Sequence, residues 1–347
     1  MPHRDIRYFI STIYLKANAQ LYDWAAQTPL LLNRQQKQIE AFFLELYAAH
    51  FSEKKIELNA SFSKQYVTYN FFSKATDLEQ DLRFNTEGVP LCHLDAKKIH
   101  VNQLVPAYFG LICYNDFLVN GDVESLEKFW IQVHHLDTLG VIKKDSLLFM
   151  YEIILPLFEV KPPWFSGITQ ALIASTFIRA FDLTKNDMYK QKARQSIEAM
   201  FVPLEAGGVF GKTLEGFDWI EEYPSVSRRS MVLNGFIFSI IAVYEYLVIC
   251  GNDAVLTKRL PPLIESLFKT MHHYIRGRFV KYGRDGKILQ NINYQGLIVF
   301  QFLHLYQLSG NQAFRDIALL FNKNVNWAAY FRYHKMPSPP YFEANFR

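Results

Sequence analysis

The stretch Trp219-Ile220-Glu221-Glu222-Tyr223-Pro224 gathers two adjacent carboxylates, an indole and a phenol. It lies on a loop just before the apolar run that opens Val232-Leu233-Asn234-Gly235-Phe236. Carboxyl and phenol groups held at the mouth of a buried helix can pass protons as general acid and base, and an indole can offer a face to a sugar ring. The same residues also suit a capping loop whose Glu side chains are solvated or bind helix N-terminal amides. Residue types alone leave both readings open. Glycoside hydrolysis would need two separated carboxylates. Chain neighbours point apart, so Asp218 or Asp285 would have to partner Glu221 or Glu222.

Other chemistries find little support in the chain. There is no phosphate-cradling glycine loop and no serine nucleophile motif. His134-His135, His272-His273, His93 and His100 include no i, i+4 pair with a third ligand. Neither a metal nor a cofactor is therefore expected. Cys92, Cys113 and Cys250 are too scattered for a disulfide framework or a zinc pattern and read as buried thiols in a reducing compartment. Residues 1–32 mix Arg, Asp, Lys and Gln into their apolar residues and show no signal-peptide core. The most membrane-like run, 231–250, carries Asn234, Ser239 and Glu245 and reads as a buried helix. A cytoplasmic protein without a membrane partner is expected.

The elements that must position the loop recur along the chain. Asn120-Gly121-Asp122, Lys185-Asn186-Asp187, Gly251-Asn252-Asp253 and Gly310-Asn311-Gln312 follow one another at steps of 65, 66 and 59 residues. These are turns, because Gly and Asn accept a left-handed backbone and Asp or Asn caps the next helix. Before the last three turns lie runs apolar nearly all round (168–183, 231–249, 295–308). After them lie amphipathic runs (188–201, 254–274, 313–324). A helix apolar on every side is buried on every side, and an amphipathic one covers it from outside. The pattern predicts a mainly all-α protein, an incomplete α/α toroid with short β-hairpin insertions, in preference to an irregular bundle. Val209-Phe210 begins one expected hairpin, and Asn102 and Gln103 are expected to cap an apolar helix in preference to lining the cleft.

Composition agrees with this. Half of the 347 residues are apolar and only 20% are charged, which excludes a disordered chain. Aromatics reach 16%, enough for a large core and an aromatic-lined cleft. A net charge of +4 is too weak to argue for nucleic acid but allows a local site for an anionic ligand. The expected organisation is an N-terminal segment over 1–85, helical at 35–48 and extended at 55–72, then the toroid over 86–330 and a tail over 331–347.

The central run resembles the signature of the heparosan-type D-glucuronyl C5-epimerases, where Trp, two Glu, Tyr and Pro precede a Val-Leu-Asn-Gly-Phe helix. Upstream, Gly88-Val89-Pro90, Gly110-Leu111, Pro163-Trp164-Phe165-Ser166 with Gln170, Arg179-Ala180 and the run 201–209 follow the same order. Downstream, Lys281-Tyr282-Gly283-Arg284 and Asn291-Ile292-Asn293-Tyr294 fall where that family has its other signature tyrosines. Coverage is roughly residues 85 to 325. The chain departs from the pattern in the loop 225–231 and after Tyr294, where Gln295 and Ile298 replace histidines, although Gln301 fits.

The resemblance implies a cofactor-free epimerase that interconverts D-glucuronate and L-iduronate in an acidic, heparosan-like polysaccharide, with a homodimer possible. Such a reaction removes a proton α to a carboxylate and returns it on the other face of the ring. Tyr223 and Tyr294 are then the principal acid and base, set across the cleft from each other, with Tyr282 assisting. A cationic or desolvated polar setting would bring a phenol down toward working pH. Glu222 would bind the substrate carboxylate or tune a phenol, and Arg284, Arg228 and Arg229 would offset uronate charge. Trp164 and Gln170 would stack on and recognise sugar, with Glu221, Asn234 and Gln301 as further substrate contacts. A polysaccharide lyase, which shares the first proton abstraction, a hydrolase, and a saccharide-binding scaffold that has lost its histidines are the competing classes.

Overall fold

A computed structural model describes residues 29–51, 56–64, 66, 82–95, 98–100, 102–276, 279–284 and 292–322. The segment 331–347, Asp285 and Asn291 lie outside them, as does the stretch 67–81. Helix α1 (Pro29–Phe51) comes first, and four helical hairpins follow. These are α2 (Leu104–Asn120) with α3 (Val123–Leu139), α4 (Gly167–Thr184) with α5 (Asp187–Ala199), α6 (Leu233–Glu245) with α7 (Ala254–Thr270), and α8 (Ile292–Ser309) with α9 (Gln312–Asn322).

The first helix of each hairpin is internal. α2 packs on α4, α4 on α6 and α6 on α8, while α3, α5, α7 and α9 each lie against their own partner outside that arc. Every residue of α6, and every residue of α4 from Gly167 to Ala180, is buried. In α5 burial is confined to one face, at Tyr189, Ala193, Ser196, Ile197 and Ala199. This is the expected incomplete toroid. The stretch Leu233–Cys250, which adds a π turn to α6, is long and apolar enough to cross a membrane, but 89% of it is buried inside the protein as a central helix.

The recurrent turns work as the residue types require. Gly121 (φ 69), Lys185 (φ 54) and Gly310 (φ 72) take the left-handed conformation that ends α2, α4 and α8. Asp122, Asn186, Asp253 and Asn311 then accept backbone N–H groups of Glu124, Met188, Val255 and Ala313 to start each outer helix. Helix α6 starts two residues later than its apolar run. Met231 stands at φ 47, pinned there by Glu221 Oε2 on its N–H (3.0 Å) and Tyr274 O–H on its carbonyl (2.7 Å).

Short antiparallel pairs sit between the helices: β1 (Arg83–Phe84), β2 (Pro90–Asp95) and β3 (Lys98–His100), then β4 (Val141–Lys143) with β5 (Ser146–Leu148). The later pairs are β6 (Phe210–Lys212) with β7 (Asp218–Ile220), and β8 (Ile275–Arg276) with β9 (Phe279–Val280). The β6–β7 pair, in register Phe210 to Ile220, is the hairpin expected at Val209-Phe210, and it delivers the chain directly into Glu221 and Glu222.

The C-terminal ends of the inner helices meet in a buried charge network. Arg179 of α4 grips Glu245 of α6 through both guanidinium nitrogens at 2.5 Å, and His304 of α8 reaches the same carboxylate at 2.8 Å. All three side chains are fully buried. The described residues 56–64 and Tyr66 cross this end without forming a regular strand. Asn59 bonds the carbonyls of Gln307 and Leu308, Lys64 pairs with Asp182, and Asn115 bonds both backbone groups of Tyr66. The Arg179 guanidinium lies 4.9 Å over the Tyr66 ring. Helix α1 packs beside α7, where Tyr47 and Phe51 meet Phe268.

Candidate functional site

The opposite end, where the inner helices begin, carries the residues singled out in the sequence. Glu222 and Tyr223 leave β7 and sit above the start of α6, and Ser166, preceding α4, fixes the loop by donating to the Glu222 carbonyl at 2.7 Å. Tyr282, on the loop after β9, donates to Glu222 Oε1 at 2.9 Å and meets the Tyr223 hydroxyl at 3.2 Å. Tyr294 stands in the first turn of α8 rather than in a loop, with its ring 5.4 Å from that of Tyr282. Its hydroxyl donates to the Tyr282 carbonyl and accepts the Asn234 N–H, each at 3.2 Å. One carboxylate and three phenols thus form a continuous cluster in which Tyr282 separates Tyr223 from Tyr294.

Burial sets the electrostatics. It raises the Glu222 carboxyl to about 7, outweighing the hydrogen bonds from Tyr223 and Tyr282 that favour its anion. The neighbouring Glu221 charge adds to the rise. Burial also raises Tyr223 and Tyr282 well above the ordinary phenol value, with the Glu222 charge adding to both. The expectation of a lowered phenol therefore fails for these two. Among the described residues no cation faces them closely enough to offset desolvation, and the group that changes charge near neutrality is the carboxylate. Glu222 Oε2 is buried without a hydrogen-bond partner.

Several expected substrate contacts are otherwise engaged. Glu221 is fully buried, and its Oε1 accepts from Arg229 Nε at 2.7 Å, so this pair anchors the loop. Adjacent Glu221 and Glu222 do point to different partners. Asp218 pairs with Lys212, leaving no second carboxylate facing Glu222 among the described residues for a hydrolase pair. Trp164 is 5% exposed, with one face 4.5 Å from Tyr151 and its N–H on the Ile153 carbonyl at 2.8 Å; it packs the loop rather than presenting a face to sugar. Gln170 is fully buried and donates to the Leu147 carbonyl. Gln301, equally buried, donates to the Asn234 carbonyl at 2.9 Å and so braces the start of α6. Asn102 accepts the Leu104 N–H at the start of α2 and also accepts from Tyr151 O–H. Gln103, at the N-cap position, makes no side-chain cap bond and donates to the Met150 carbonyl instead. Arg284 is held bidentately by Glu215, at 2.7 and 2.6 Å.

One residue escaped the sequence reading. Phe158, in the 3-10 turn Pro156–Phe158, stacks on Tyr223 with ring centroids 3.6 Å apart and planes 13° from parallel. Arg228 lies 5.8 Å over the Phe158 ring, and Ser227 donates to Glu159, tying the two loops together. Only an apolar pair, Leu157-Phe158, marked this role in the sequence.

Gly235 is the tightest point. A Cβ there would stand 2.7 Å from Glu222 Oε2 and 3.0 Å from Glu222 Cβ. Gly235→Ala is expected to push the carboxylate off Tyr282 at a cost of about 1–3 kcal/mol, the usual range for overpacking. Catalytic loss should exceed the loss in stability, which paired activity assays and thermal melts would check.

A family model described as D-glucuronyl C5-epimerase C-terminus matches residues 145–323. The D-glucuronyl C5-epimerase of Caenorhabditis elegans is 32% identical over 103 residues, 28% of this chain and 16% of that protein. An uncharacterised protein of Methanocaldococcus jannaschii is 26% identical over 194 residues, 54% of this chain and 62% of that protein. The chain spans less than two thirds of the length of these relatives. Among solved structures, the cellobiose 2-epimerase of Spirochaeta thermophila superposes with a TM-score of 0.47 at 13% identity, over 85% of this chain and 86% of that one.

Proposed function

Because the chain belongs to the family of the D-glucuronyl C5-epimerase C-terminus, we propose that it is a carbohydrate epimerase acting at C5 of uronate residues in an acidic, heparosan-like polysaccharide. The observation that carries this reading is the buried Glu222 carboxylate, raised to about 7 and hydrogen-bonded to a phenol that stays protonated. Abstraction of a weakly acidic proton α to a carboxylate calls for a base of this strength, because a base that titrates near the working pH combines adequate population with driving force.

In this mechanism the Glu222 carboxylate takes the C5 proton, and the electron pair left on carbon delocalises into the substrate carboxylate. A phenol then donates a proton to the opposite face of C5. Tyr294, at the far end of the cluster from Tyr223, supplies the second face, and Tyr282 relays between Glu222 and Tyr223. The phenolate and the carboxylic acid left behind exchange protons with water, restoring the enzyme. The phenols act as donors, and the carboxylate is the group with an appreciable charged fraction to act as base.

Incubation with an unsulfated glucuronate polymer in heavy water tests the reaction class. Deuterium at C5, appearance of iduronate and unchanged chain length are expected. Ultraviolet absorbance from an unsaturated uronate would make the protein a lyase, and new reducing ends without it a hydrolase. Binding without any exchange would leave a saccharide-binding scaffold.

A further inference from the structure

The Glu221 carboxylate is fully buried, and both of its oxygens reach one short stretch of loop. Oε1 accepts Arg229 Nε at 2.7 Å, and Oε2 accepts the Met231 N–H at 3.0 Å. The main chain beneath it is fixed on both sides. The Glu221 N–H donates to the Val209 carbonyl at 2.8 Å, and the Glu221 carbonyl accepts the Gly167 N–H at 3.1 Å. A Cβ at Gly167 would stand 2.5 Å from that carbonyl oxygen, so the start of α4 closes directly on it. A rigid base thus carries the carboxylate that holds Met231 at φ 47, a conformation that a residue with a β-carbon adopts only under constraint. Tyr274 completes the constraint by donating to the Met231 carbonyl at 2.7 Å, with its own ring 9° from parallel to Trp219.

The turn at Met231 decides where the next residues meet the phenol cluster. The Ser230 carbonyl accepts the Arg284 N–H, and the Leu233 N–H donates to the Tyr282 carbonyl, both at 3.0 Å. The Tyr294 hydroxyl bridges the Asn234 N–H and the same Tyr282 carbonyl, each at 3.2 Å. Segment 230–234 therefore carries Tyr282, whose phenol reaches Glu222 Oε1 at 2.9 Å. These contacts close a circuit. It runs from the Glu221 carboxylate through Met231 and Leu233 to Tyr282, then through the Glu222 side chain back to the peptide bond between the two glutamates. A shift at Met231 would move the phenol while Ser166 keeps the Glu222 carbonyl in place.

We propose that Glu221 is a positioning residue for proton transfer: through the left-handed turn at Met231, its carboxylate aims the Tyr282 phenol at Glu222. The proposal deepens the epimerase reading and rests on it for the reaction that the aim serves.

Glu221→Gln keeps the shape of the side chain but leaves one acceptor oxygen, so the Arg229 or the Met231 contact must go. Its kcat for C5 proton exchange should fall about 10–100-fold with KM within about twofold, the scale on which displaced catalytic groups cost rate. Met231→Gly, added to it, separates aim from stability. Glycine takes φ 47 without strain, so the turn no longer needs the carboxylate, whereas losing a buried side chain lowers the melting temperature. The double variant should regain most of the lost kcat while melting below Glu221→Gln. A Glu221 that only stabilises the fold predicts a further fall in kcat. Tyr274→Phe frees the Met231 carbonyl but keeps the ring beside Trp219, and it should lower kcat at constant KM even where Glu221→Gln does not fold. Carbon-13 NMR of tyrosine labelled at Cζ reads the aim without activity. The Tyr282 signal, assigned with Tyr282→Phe, should move in each single variant and return in the double one. Folded single variants with an unmoved Tyr282 signal or with wild-type kcat overturn the proposal, as does a double variant no faster than Glu221→Gln. A wild-type protein that exchanges no C5 proton removes the epimerase reading instead, and the Tyr282 signal then decides the positioning alone.

Discussion

Glu222→Gln is expected to lower C5 proton exchange by about 10²–10⁴-fold, the usual contribution of a positioned acid or base. The replacement keeps the shape of the side chain and an acceptor for Tyr282, so the fold should survive. Wild-type turnover should rise with pH through about 7 as the carboxylate ionises, and the variant should lose that limb. Stability runs the other way. A carboxyl raised from 4.5 to about 7 binds more protons folded than unfolded, so it costs the wild type stability as pH rises between those values. The variant has no charge to bury. It should match the wild type below about 4.5 and melt at a higher temperature at pH 8. A variant with full exchange, or one destabilised at pH 8, would remove Glu222 as the base.

The second large effect lies at the other end of the toroid. Arg179→Met leaves Glu245 buried without its cation, at a cost of about 3–5 kcal/mol, readable by denaturant unfolding. Burial opposes the Glu245 charge, yet Arg179 and His304 outweigh it and hold the carboxyl at about 2. Its stabilisation is present above the unfolded value of 4.5 and is lost as pH falls toward 2. Burial, first among its causes, keeps His304 below its ordinary 6.5, so its neutral form also costs stability as pH falls beneath that value. The wild type should therefore weaken in acid. In Arg179→Met the balance at Glu245 reverses: without the guanidinium, burial makes it prefer its proton, and the penalty should shrink at low pH. Adding Glu245→Gln should recover a large part of the loss.

The inner helices were legible because α4, α6 and α8 lack a polar face, and the turns because left-handed and capping positions demand particular residues. Glu222 and Tyr223 were legible by type, whereas Tyr282 and Tyr294 came only through family resemblance, since nothing in their local sequence separates a reactive phenol from a packed one. The misreadings share a cause. Gln170 and Gln301 spend their amides on the carbonyls of Leu147 and Asn234, long-range partners that a sequence does not display. Arg229 stands near the phenols in sequence but is committed to Glu221, so its charge does not lower them. Phe158 was missed because stacking on Tyr223 joins two loops 65 positions apart.

Among the described residues, the crossing of 56–64 and Tyr66 over the joined ends of α4, α6 and α8 closes that end of the toroid. If the substrate is the proposed polysaccharide, it would not thread that end but lie across the end that carries the phenols. An internal sugar could then be engaged without a terminus, and the chain released sideways. Modified units should then appear scattered along a long polymer from the earliest turnover, instead of accumulating inward from one end.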